Sequence, residues 1–183
     1  MKAIVAMSNN RAIGKNKGLP WPIIKEDFQF FKDFTTNKIL VVGNKTFSTI
    51  PPLRNRNIII LTNNSISYED GYDPIYNYGY CYKSYKTILD IDEHHKNNLI
   101  CIGGAKTYEL FLPFITELYV THINGTYDAD TFMPPFEHLF SKKEIIRAFN
   151  KYIVMYPSLN TSGINPDSLK EFDGHKVIRY SKG

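Results

Sequence analysis

The chain has 183 residues, of which 43% are hydrophobic, which suffices for one ordinary core and argues against a disordered chain. Its formal net charge of +4 at pH 7 attracts small anions, but it is weak support for a nucleic-acid-binding protein. The apolar run from Ala3 to Met7 is too short for a signal peptide or a membrane span. We therefore expect a cytoplasmic, monomeric protein with a single domain over residues 1–183.

Cysteine and histidine usage predicts no metal site. Cys81 and Cys101 stand in apolar runs without Cys-x-x-Cys spacing, which favours a reducing compartment and small hydrophobic side chains. His94 and His95 are adjacent, so they cannot share one helical face as metal ligands usually do. A solvated pair is the preferred interpretation.

In chain order, short apolar runs alternate with helical patterns. The β-branched runs predict buried strands at Lys2 to Met7, Ile39 to Val42, Asn57 to Leu61, Leu99 to Ile102 and Leu118 to Ile123. Helical spacing predicts helices at Lys25 to Phe34, Asn44 to Ile50, Tyr85 to Asp92 and Ala105 to Leu112. This alternation is typical of an α/β fold in which about four helices flank a mainly parallel twisted sheet.

Two further patterns lie outside this alternation. The runs Tyr152 to Tyr156 and Lys176 to Tyr180 flank a loop rich in Asn, Ser, Pro and Gly, which predicts a C-terminal antiparallel hairpin. In the segment 68–85, four tyrosines at every second position from Tyr76 to Tyr82 would share one face of a strand. Such a face could stack on single-stranded nucleic acid, but no Lys and Arg are interleaved, which favours an edge strand with a half-buried aromatic face.

Asp27 is the first candidate for a functional residue. Phe31 and Phe34 follow it by four and seven residues, so the carboxylate falls on the apolar stripe of the predicted helix. Glu26 would point away, because one residue turns a helix by about 100°. The alternative interpretation is that Asp27 only occupies the first turn, where the helix dipole favours a negative charge.

Two glycine-led helix starts are candidate phosphate sites, Gly43-Asn44-Lys45-Thr46 and Gly103-Gly104-Ala105-Lys106. Unpaired backbone N–H groups at a helix N-terminus attract anions. Adjacent glycines suit a backbone that approaches a cofactor closely. The usual GxGxxG dinucleotide fingerprint is absent from the sequence.

Five segments together carry a more specific signal. They are Ala12-Ile13-Gly14, Gly18-Leu19-Pro20-Trp21, Asp27-Phe28-Gln29-Phe30-Phe31, Gly43-Asn44-Lys45-Thr46-Phe47 and Ile102-Gly103-Gly104-Ala105. Over residues 2 to 135, this ordered set resembles the dihydrofolate reductases. The resemblance implies reduction of dihydrofolate to tetrahydrofolate by NADPH for one-carbon metabolism and thymidylate synthesis. It also implies binding of antifolates such as methotrexate.

On the substrate side, the resemblance implies that Asp27 accepts hydrogen bonds from the pterin ring, with Trp21 and Thr121 as donors around it. Without the resemblance, Trp21 could be a core aromatic and Thr121 an ordinary strand residue. Arg56 matches the arginine that binds the glutamate α-carboxylate, and a surface arginine without a partner is the alternative. The remaining substrate contacts implied by the resemblance, which core packing would also explain, are Ile4, Val5, Ala6, Phe28, Phe31, Thr49, Ile50 and Leu53.

On the cofactor side, the resemblance implies a cis peptide between Gly103 and Gly104, with Tyr108 near the nicotinamide. The full set implied for the cofactor is Ala6, Ile13, Gly14, Leu19, Gly43, Asn44, Lys45, Thr46, Leu61, Thr62, Asn63, Lys83, Ile102, Gly103, Gly104, Ala105, Lys106, Thr107 and Tyr108.

The cofactor side departs from the family pattern at two positions. Asn44 and Asn63 stand where relatives usually carry basic residues for the adenosine 2′-phosphate. We therefore expect NADPH to be preferred over NADH only weakly, with Lys45 or Lys83 as substitute cations. Two alternatives share the scaffold: the pyrimidine reductase of riboflavin biosynthesis, which would not need Asp27 or Arg56, and a non-catalytic nucleic-acid-binding relative. The segment Asp130 to Pro134 resembles the family's closing turn and is assigned no catalytic role.

Overall fold

The computed structural model describes residues 1–61, 71–73, 78–96, 98–149 and 174–183. The strands within these ranges are β1 (Lys2–Ser8), β2 (Ala12–Gly14), β3 (Ile39–Gly43), β4 (Asn57–Leu61), β5 (Gly71–Asp73), β6 (Tyr78–Lys83), β7 (Ile100–Cys101), β8 (Glu117–Ile123), β9 (Thr131–Phe132), β10 (Lys142–Phe149) and β11 (His175–Ser181). The helices are α1 (Lys25–Thr35), α2 (Asn44–Phe47), α3 (Tyr85–His94) and α4 (Ala105–Phe111), with short 3-10 turns at Leu112–Phe114 and Glu137–Leu139.

The described strands form one large sheet and one small one. Nine strands pair in the order β10-β11-β8-β1-β7-β3-β4-β6-β5, while β2 and β9 form a separate two-stranded ribbon. The six central strands from β8 to β6 are parallel, and β5, β10 and β11 add antiparallel pairs at the two edges. This confirms the predicted α/β class with a mainly parallel sheet.

The two faces of the sheet are buried separately, because successive side chains of a strand point to opposite faces. On one face, Ala3, Val5 and Met7 of β1 pack in a cluster with α3 and α4. On the other face, Ile4 packs in a cluster with Phe30 of α1. Because these strands are covered on both faces, the central residues of β1, β3 and β4 form continuous apolar runs rather than alternating with polar residues.

The predicted elements occur at the predicted places, with small differences at their ends. α2 stops at Phe47 rather than Ile50, and α3 continues to His94. β7 is only Ile100–Cys101, since the chain turns into the Gly103-Gly104 segment directly after it. Helix ends depend on local capping, which apolar spacing does not encode.

The C-terminal hairpin is confirmed, but its first strand differs from the predicted run. β11 pairs antiparallel with β10 (Lys142–Phe149), a strand that the sequence analysis did not predict. The predicted run 152–156 lies outside the described residues. In the tyrosine-rich segment, the prediction of an edge strand is wrong, because β5 pairs with β6 on the side away from β4.

Candidate active site

Asp27 lies in the first turn of α1 and on the side of the helix that faces the sheet. Two turns further on, Phe34 packs against Tyr119 of β8 with ring centroids 4.4 Å apart, and Phe30 between them is buried. Asp27 is partly buried on this stripe, whereas Glu26 is exposed. Burial raises the pKa of the Asp27 carboxyl, and the Thr121 hydroxyl and the charge of His175 partly offset this. The carboxyl is therefore partly desolvated, which favours a hydrogen-bonding partner.

Thr121 faces this carboxyl from β8. Its position is fixed by the parallel pairing of β8 with β1, in which Ala6 lies opposite Thr121. The side chain is 1% exposed, and its hydroxyl makes no hydrogen bond of ordinary distance and angle within the described residues. It nevertheless lies close enough to Asp27 to lower the pKa of the carboxyl. A buried hydroxyl without a partner is costly, so a ligand that paired with it would be favoured.

Tyr108 of α4 connects the two sides of the site. Its hydroxyl donates to the backbone carbonyl oxygen of Ile4 at 2.6 Å, and the side chain is buried. Burial raises the pKa of Tyr108 well above its ordinary value, and the charges of Cys101 and Asp27 raise it further. The phenol therefore stays protonated as a donor, and the charge of Asp27 in the first turn of α1 acts on it.

Two closely approaching backbone segments form a glycine cradle, which we define as Gly43, Gly103 and Gly104. The Gly103-Gly104 peptide is cis, and the amide of Gly43 donates to the carbonyl of Gly103 at 2.7 Å. A Cβ at Gly43 would lie 2.5 Å from Thr107 Oγ1, and one at Gly104 would lie 2.8 Å from Thr46 Oγ1. No side chain larger than hydrogen fits at these positions without displacing a threonine hydroxyl.

The glycine cradle brings the two predicted phosphate sites side by side. Gly43 precedes α2 and Gly104 precedes α4, and neither helix has a side-chain cap for its first N–H groups. These N–H groups attract anions because they lack intrahelical acceptors. Beside the start of α4, a groove of about 320 Å³ is lined by Leu61, Lys106, Glu109 and Leu110. Backbone donors, two threonine hydroxyls and an adjoining groove suit an elongated anionic ligand.

Comparison with known proteins agrees with this geometry. The family model for dihydrofolate reductase matches residues 1–152. The chain belongs to the dihydrofolate reductase family.

Individual relatives in this family are moderately similar. The dihydrofolate reductase of Bacillus subtilis is 34% identical over 135 residues, which cover 73% of this chain and 75% of that protein. The dihydrofolate reductase of Buchnera aphidicola subsp. Baizongia pistaciae is 33% identical over 150 residues, covering 78% of this chain and 85% of that protein. A solved structure of dihydrofolate reductase from Enterococcus faecalis, complexed with NADP(H) and RAB-propyl, has a TM-score of 0.69 and 26% identity, and covers 100% of this chain and 95% of that one.

The predicted substrate contacts of this dihydrofolate reductase relative lie on β1, on α1 and in the segment between α2 and β4. Ile4 and Val5 are buried in the sheet, and Phe31 and Leu53 pack half-buried in the same cluster as Ile4. Phe28 is 47% exposed on the neighbouring surface of α1. Ala6 and Ile50 are partly buried, and Thr49 is exposed.

Arg56 lies at the C-terminal end of α1 and is 7% exposed. Its Nε donates to Thr35 Oγ1 at 3.0 Å, its Nη1 to the Arg54 carbonyl at 2.7 Å, and its Nη2 to the Lys32 carbonyl at 3.2 Å and Thr36 Oγ1 at 3.3 Å. Within the described residues, one Nη1 hydrogen therefore lacks an acceptor. Burial lowers the pKa of Arg56. A two-bond fork to a carboxylate requires Arg56 to release one of these bonds.

Trp21 is 5% exposed and packs edge-on against Tyr127, with ring centroids 5.6 Å apart. The loop before it is held by the segment that follows β8. Asp130 accepts the amide hydrogen of Asn16 at 2.8 Å, and Lys15 forms an ion pair with Asp128. Asp130 thus clamps the loop that leads to Trp21, a role beyond the closing turn that the sequence analysis assigned to this segment.

The other predicted cofactor residues lie on several different elements and differ in exposure. Ile13, Gly14 and Ile102 are partly buried, and Leu19 is 42% exposed. Among the remaining positions, Asn44, Lys45 and Lys106 are exposed and Ala105 is partly buried, while Lys83 lies opposite Leu61 in the β4–β6 pairing. Thr62 and Asn63 lie outside the described residues. Across the described part of the chain, no group of three or more metal-ligating side chains occurs, and no helix is long and apolar enough to cross a membrane.

Sequence reasoning missed His175, the first residue of β11, whose charge acts on Asp27. The sequence pattern predicted most of β11 as a strand. It did not predict the register of β11 against β8, because the two strands are more than fifty residues apart in the chain.

Proposed function

We propose that the chain reduces 7,8-dihydrofolate to 5,6,7,8-tetrahydrofolate with a hydride from NADPH, and so supplies one-carbon metabolism and thymidylate synthesis. One observation carries this proposal: the partly buried carboxylate of Asp27 faces the Thr121 hydroxyl, which has no hydrogen-bond partner among the described residues. The charge of Asp27 also acts on Tyr108, whose ring lies against Gly103. An acid of this kind suits an amino-pyrimidine ring, and the adjoining glycine cradle suits a dinucleotide. The NADP(H) bound by the Enterococcus faecalis relative supports the cofactor assignment.

On the substrate side, the Asp27 carboxylate accepts two parallel hydrogen bonds, from N3 and the 2-amino group of the pterin, in the geometry of a carboxylate–guanidinium fork. The Thr121 hydroxyl adds a donor or acceptor beside them. Trp21 shields the ring from the loop side, and Phe28, Phe31, Ile50 and Leu53 enclose the apolar part of the substrate. Arg56 receives the glutamate α-carboxylate through its remaining Nη1 hydrogen.

On the cofactor side, the glycine cradle and the starts of α2 and α4 bind the phosphates, with Thr46 and Thr107 as side-chain donors. Leu61 and Lys106 flank the groove that receives the adenosine end. NADPH supplies the hydride that is added to C6 of the pterin. Tyr108 and the Ile4 carbonyl form the wall between the cofactor side and Asp27.

The proton for N5 comes from a solvent molecule. Asp27 binds the opposite edge of the ring and does not reach N5. The carboxylate polarises the ring, and the Asp130-clamped loop excludes bulk water from the site.

The decisive experiment follows the absorbance of reduced nicotinamide when protein, dihydrofolate and NADPH are mixed, with each substrate omitted in turn and with methotrexate added. We expect an absorbance loss that needs both substrates and that methotrexate stops. Asp27→Asn should lower turnover roughly ten- to several hundredfold, from loss of about 1.5 to 3 kcal/mol of charge-assisted bonding. The matched control is Glu26→Gln, an exposed neighbour on the same helical turn, which should leave turnover near the parent value. Equal turnover in both variants would remove Asp27 from the mechanism.

We further propose that the preference for NADPH over NADH is weak. Asn44 is exposed at the first position of α2, where a cation would meet a 2′-phosphate, and the nearby cations Lys45 and Lys83 replace it only in part. Each charged contact to a phosphate is worth roughly 1.5 to 3 kcal/mol. Turnover should therefore differ by less than about a thousandfold between the two cofactors. Asn44→Arg should increase the preference, with Asn44→Gln as the uncharged control.

Tight binding of diaminopyrimidine antifolates follows from the same carboxylate, because their protonated ring pairs with it. Asp27→Asn should abolish this tightness, and equal affinity in both proteins would contradict the pairing. Since the nine-stranded sheet joins strands from Lys2 to Ser181 in one hydrogen-bonded ladder, we also propose that the chain is a single domain.

A further inference from the structure

His175 and Asp27 lie at the same end of the same face of the large sheet. β11 pairs antiparallel with β8 so that Val177 lies opposite Thr121, which places both side chains on one face. Val177 packs in the cluster that contains Phe30 of α1, so this is the face that α1 covers. His175 precedes Val177 by two residues and therefore points to this face as well.

The direction of α1 brings its first turn toward His175. Phe34 lies against Tyr119, near the beginning of β8, so the helix runs back from there toward the later residues of β8. Asp27 is seven residues before Phe34, which is about 10 Å of helix. The amide of Asn124, just after β8, donates to Nδ1 of His175 at 3.1 Å. The imidazole is thereby held beside the end of β8 that Asp27 approaches.

We propose that His175 is a positioning residue for the folate site: its protonated imidazolium stabilises the ionised carboxylate of Asp27, so that pairing with a pterin or diaminopyrimidine depends on the charge of His175. The inference rests on the proposed function in assigning that ligand to Asp27.

The electrostatics of the site agree with this geometry. Burial raises the pKa of Asp27, the Thr121 hydroxyl lowers it, and the charge of His175 lowers it further. The two charge states of His175 also differ in hydrogen bonding. The neutral ring accepts the Asn124 amide, whereas the protonated ring loses this acceptor and gains the attraction of the carboxylate.

Each element packed around Asp27 contributes a polar, titratable or charged group. β8 contributes Thr121 as a neutral hydroxyl, α4 contributes the protonated Tyr108, and α1 contributes the exposed Glu26. β10 contributes Arg147, whose guanidinium carbon lies 5.2 Å from the centroid of the Phe30 ring in a cation–π contact. Among these groups, His175 is the cation that acts on the Asp27 carboxyl within the described residues.

The test is the titration of the Asp27 carboxyl, observed by carbon NMR in the ligand-free protein labelled at aspartate carboxyl carbons. Asp27→Asn identifies the signal. In His175→Gln, the Asp27 signal should titrate at a higher pH than in the parent, because the variant lacks the cation. His175→Lys keeps a positive charge at every pH of interest, so there the signal should titrate at or below the parent pH. The exposed His95→Gln, directly after α3, should leave the titration unchanged.

Binding supplies a second measurement on the same proteins. The affinity for dihydrofolate, whose pterin ring binds as a neutral hydrogen-bond donor, should be a few-fold weaker in His175→Gln than in the parent at acidic pH, where the imidazole carries its charge. The two affinities should converge at alkaline pH, where the imidazole is neutral. An Asp27 titration that is the same in parent, His175→Gln and His175→Lys would overturn the proposal. The titration needs no folate chemistry, so dihydrofolate turnover of the parent protein tests the proposed function separately.

Discussion

The hydroxyl of Tyr108 donates to the main-chain carbonyl of Ile4 at 2.6 Å, which joins α4 to the central strand β1 across 104 positions of sequence. The bond is buried, and the ring beneath it lies against Gly103, where an added Cβ would come within 2.7 Å of Tyr108 Cε2. The cis glycine pair and the substrate-side strand are therefore held by one side chain.

Tyr108→Phe should lower the free energy of unfolding by about 1 to 3 kcal/mol, because the Ile4 carbonyl loses its buried donor. Urea denaturation of both proteins measures this difference. Tyr127→Phe is the matched control, because Tyr127 also donates to a carbonyl, that of Asn124, but at 3.3 Å in an exposed setting. It should change the free energy of unfolding by less than about 0.5 kcal/mol. Equal effects in the two variants would show that burial of the Tyr108 bond is unimportant.

Asp27→Asn should make the protein more stable at neutral pH while it lowers turnover. Burial raises the pKa of Asp27 above its ordinary value of 3.8, so the folded protein holds this proton more tightly than the unfolded chain does. The protonated group therefore contributes stability below the unfolded value, and this contribution is lost as the pH rises through the raised folded value. At pH 7, the ionised carboxylate costs stability, and an amide removes that cost.

Urea denaturation of parent and Asp27→Asn at pH 7 and at about pH 4 measures the effect, with Glu26→Gln as the control. The stabilisation by Asp27→Asn should be larger at pH 7 than at the lower pH. A variant less stable than the parent at pH 7 would contradict the raised pKa. Loss of activity with gain of stability is expected where a site keeps a charge for binding a ligand.

Local sequence patterns were enough to predict most of the secondary structure. Five strands and four helices were predicted from periodicity, because the buried β-branched runs and the α1 stripe are continuous in sequence. Asp27 could be identified since an acid on an apolar stripe is unusual. β10 could not be predicted, because it begins with three consecutive charged residues, Lys142, Lys143 and Glu144, where a half-buried strand would alternate apolar and polar residues. The pairing of His175 with the end of β8 depends on register, which no local pattern specifies.

Gly43→Ala should disturb the glycine cradle. Its Cβ would lie 2.5 Å from Thr107 Oγ1, a contact that forces either the threonine or the α2 start to move. Overpacking of this kind costs about 1 to 3 kcal/mol. Gly18→Ala is the control, since its Cβ would meet nothing closer than the Lys15 carbonyl oxygen at 3.7 Å. We expect Gly43→Ala to weaken NADPH binding and lower the melting temperature, and Gly18→Ala to change the melting temperature little; calorimetry and fluorescence titration measure both quantities.

Asp130→Ala should lower turnover by freeing the loop that leads to Trp21. The Asp130 carboxylate accepts the Asn16 amide at 2.8 Å and the Thr131 hydroxyl at 2.7 Å, and both bonds are lost in the variant. The Asp130 amide still donates to the Gly14 carbonyl at 3.1 Å. Asp128→Ala is the control, because it removes an exposed ion pair with Lys15 from the same loop but leaves the Asn16 bond intact. Steady-state turnover at saturating substrates should fall more in Asp130→Ala. An equal fall would mean that loop charge, rather than the backbone clamp, is responsible.

Asp92→Asn should destabilise the protein strongly, although Asp92 is remote from Asp27. Its Oδ2 lies 2.8 Å from the α-amino group of Met1, and its Oδ1 accepts the Leu99 amide at 3.1 Å. The Met1 side chain is 0% exposed and that of Asp92 5%, so the pair is shielded from water. An asparagine keeps an acceptor for Leu99 but leaves the buried ammonium without a counter-charge. Breaking a buried pair in this way costs about 3 to 5 kcal/mol.

Glu93, the exposed neighbour of Asp92, supplies the control for Asp92→Asn. Glu93→Gln removes a negative charge from the next position of α3 without touching the Met1 amine. Urea denaturation at pH 7 should show a large loss of unfolding free energy for Asp92→Asn and a change within about 0.5 kcal/mol for Glu93→Gln. A small effect at Asp92 would mean that the Met1 amine reaches water in solution. In that case the ion pair would be worth no more than an exposed one, about 0 to 1 kcal/mol.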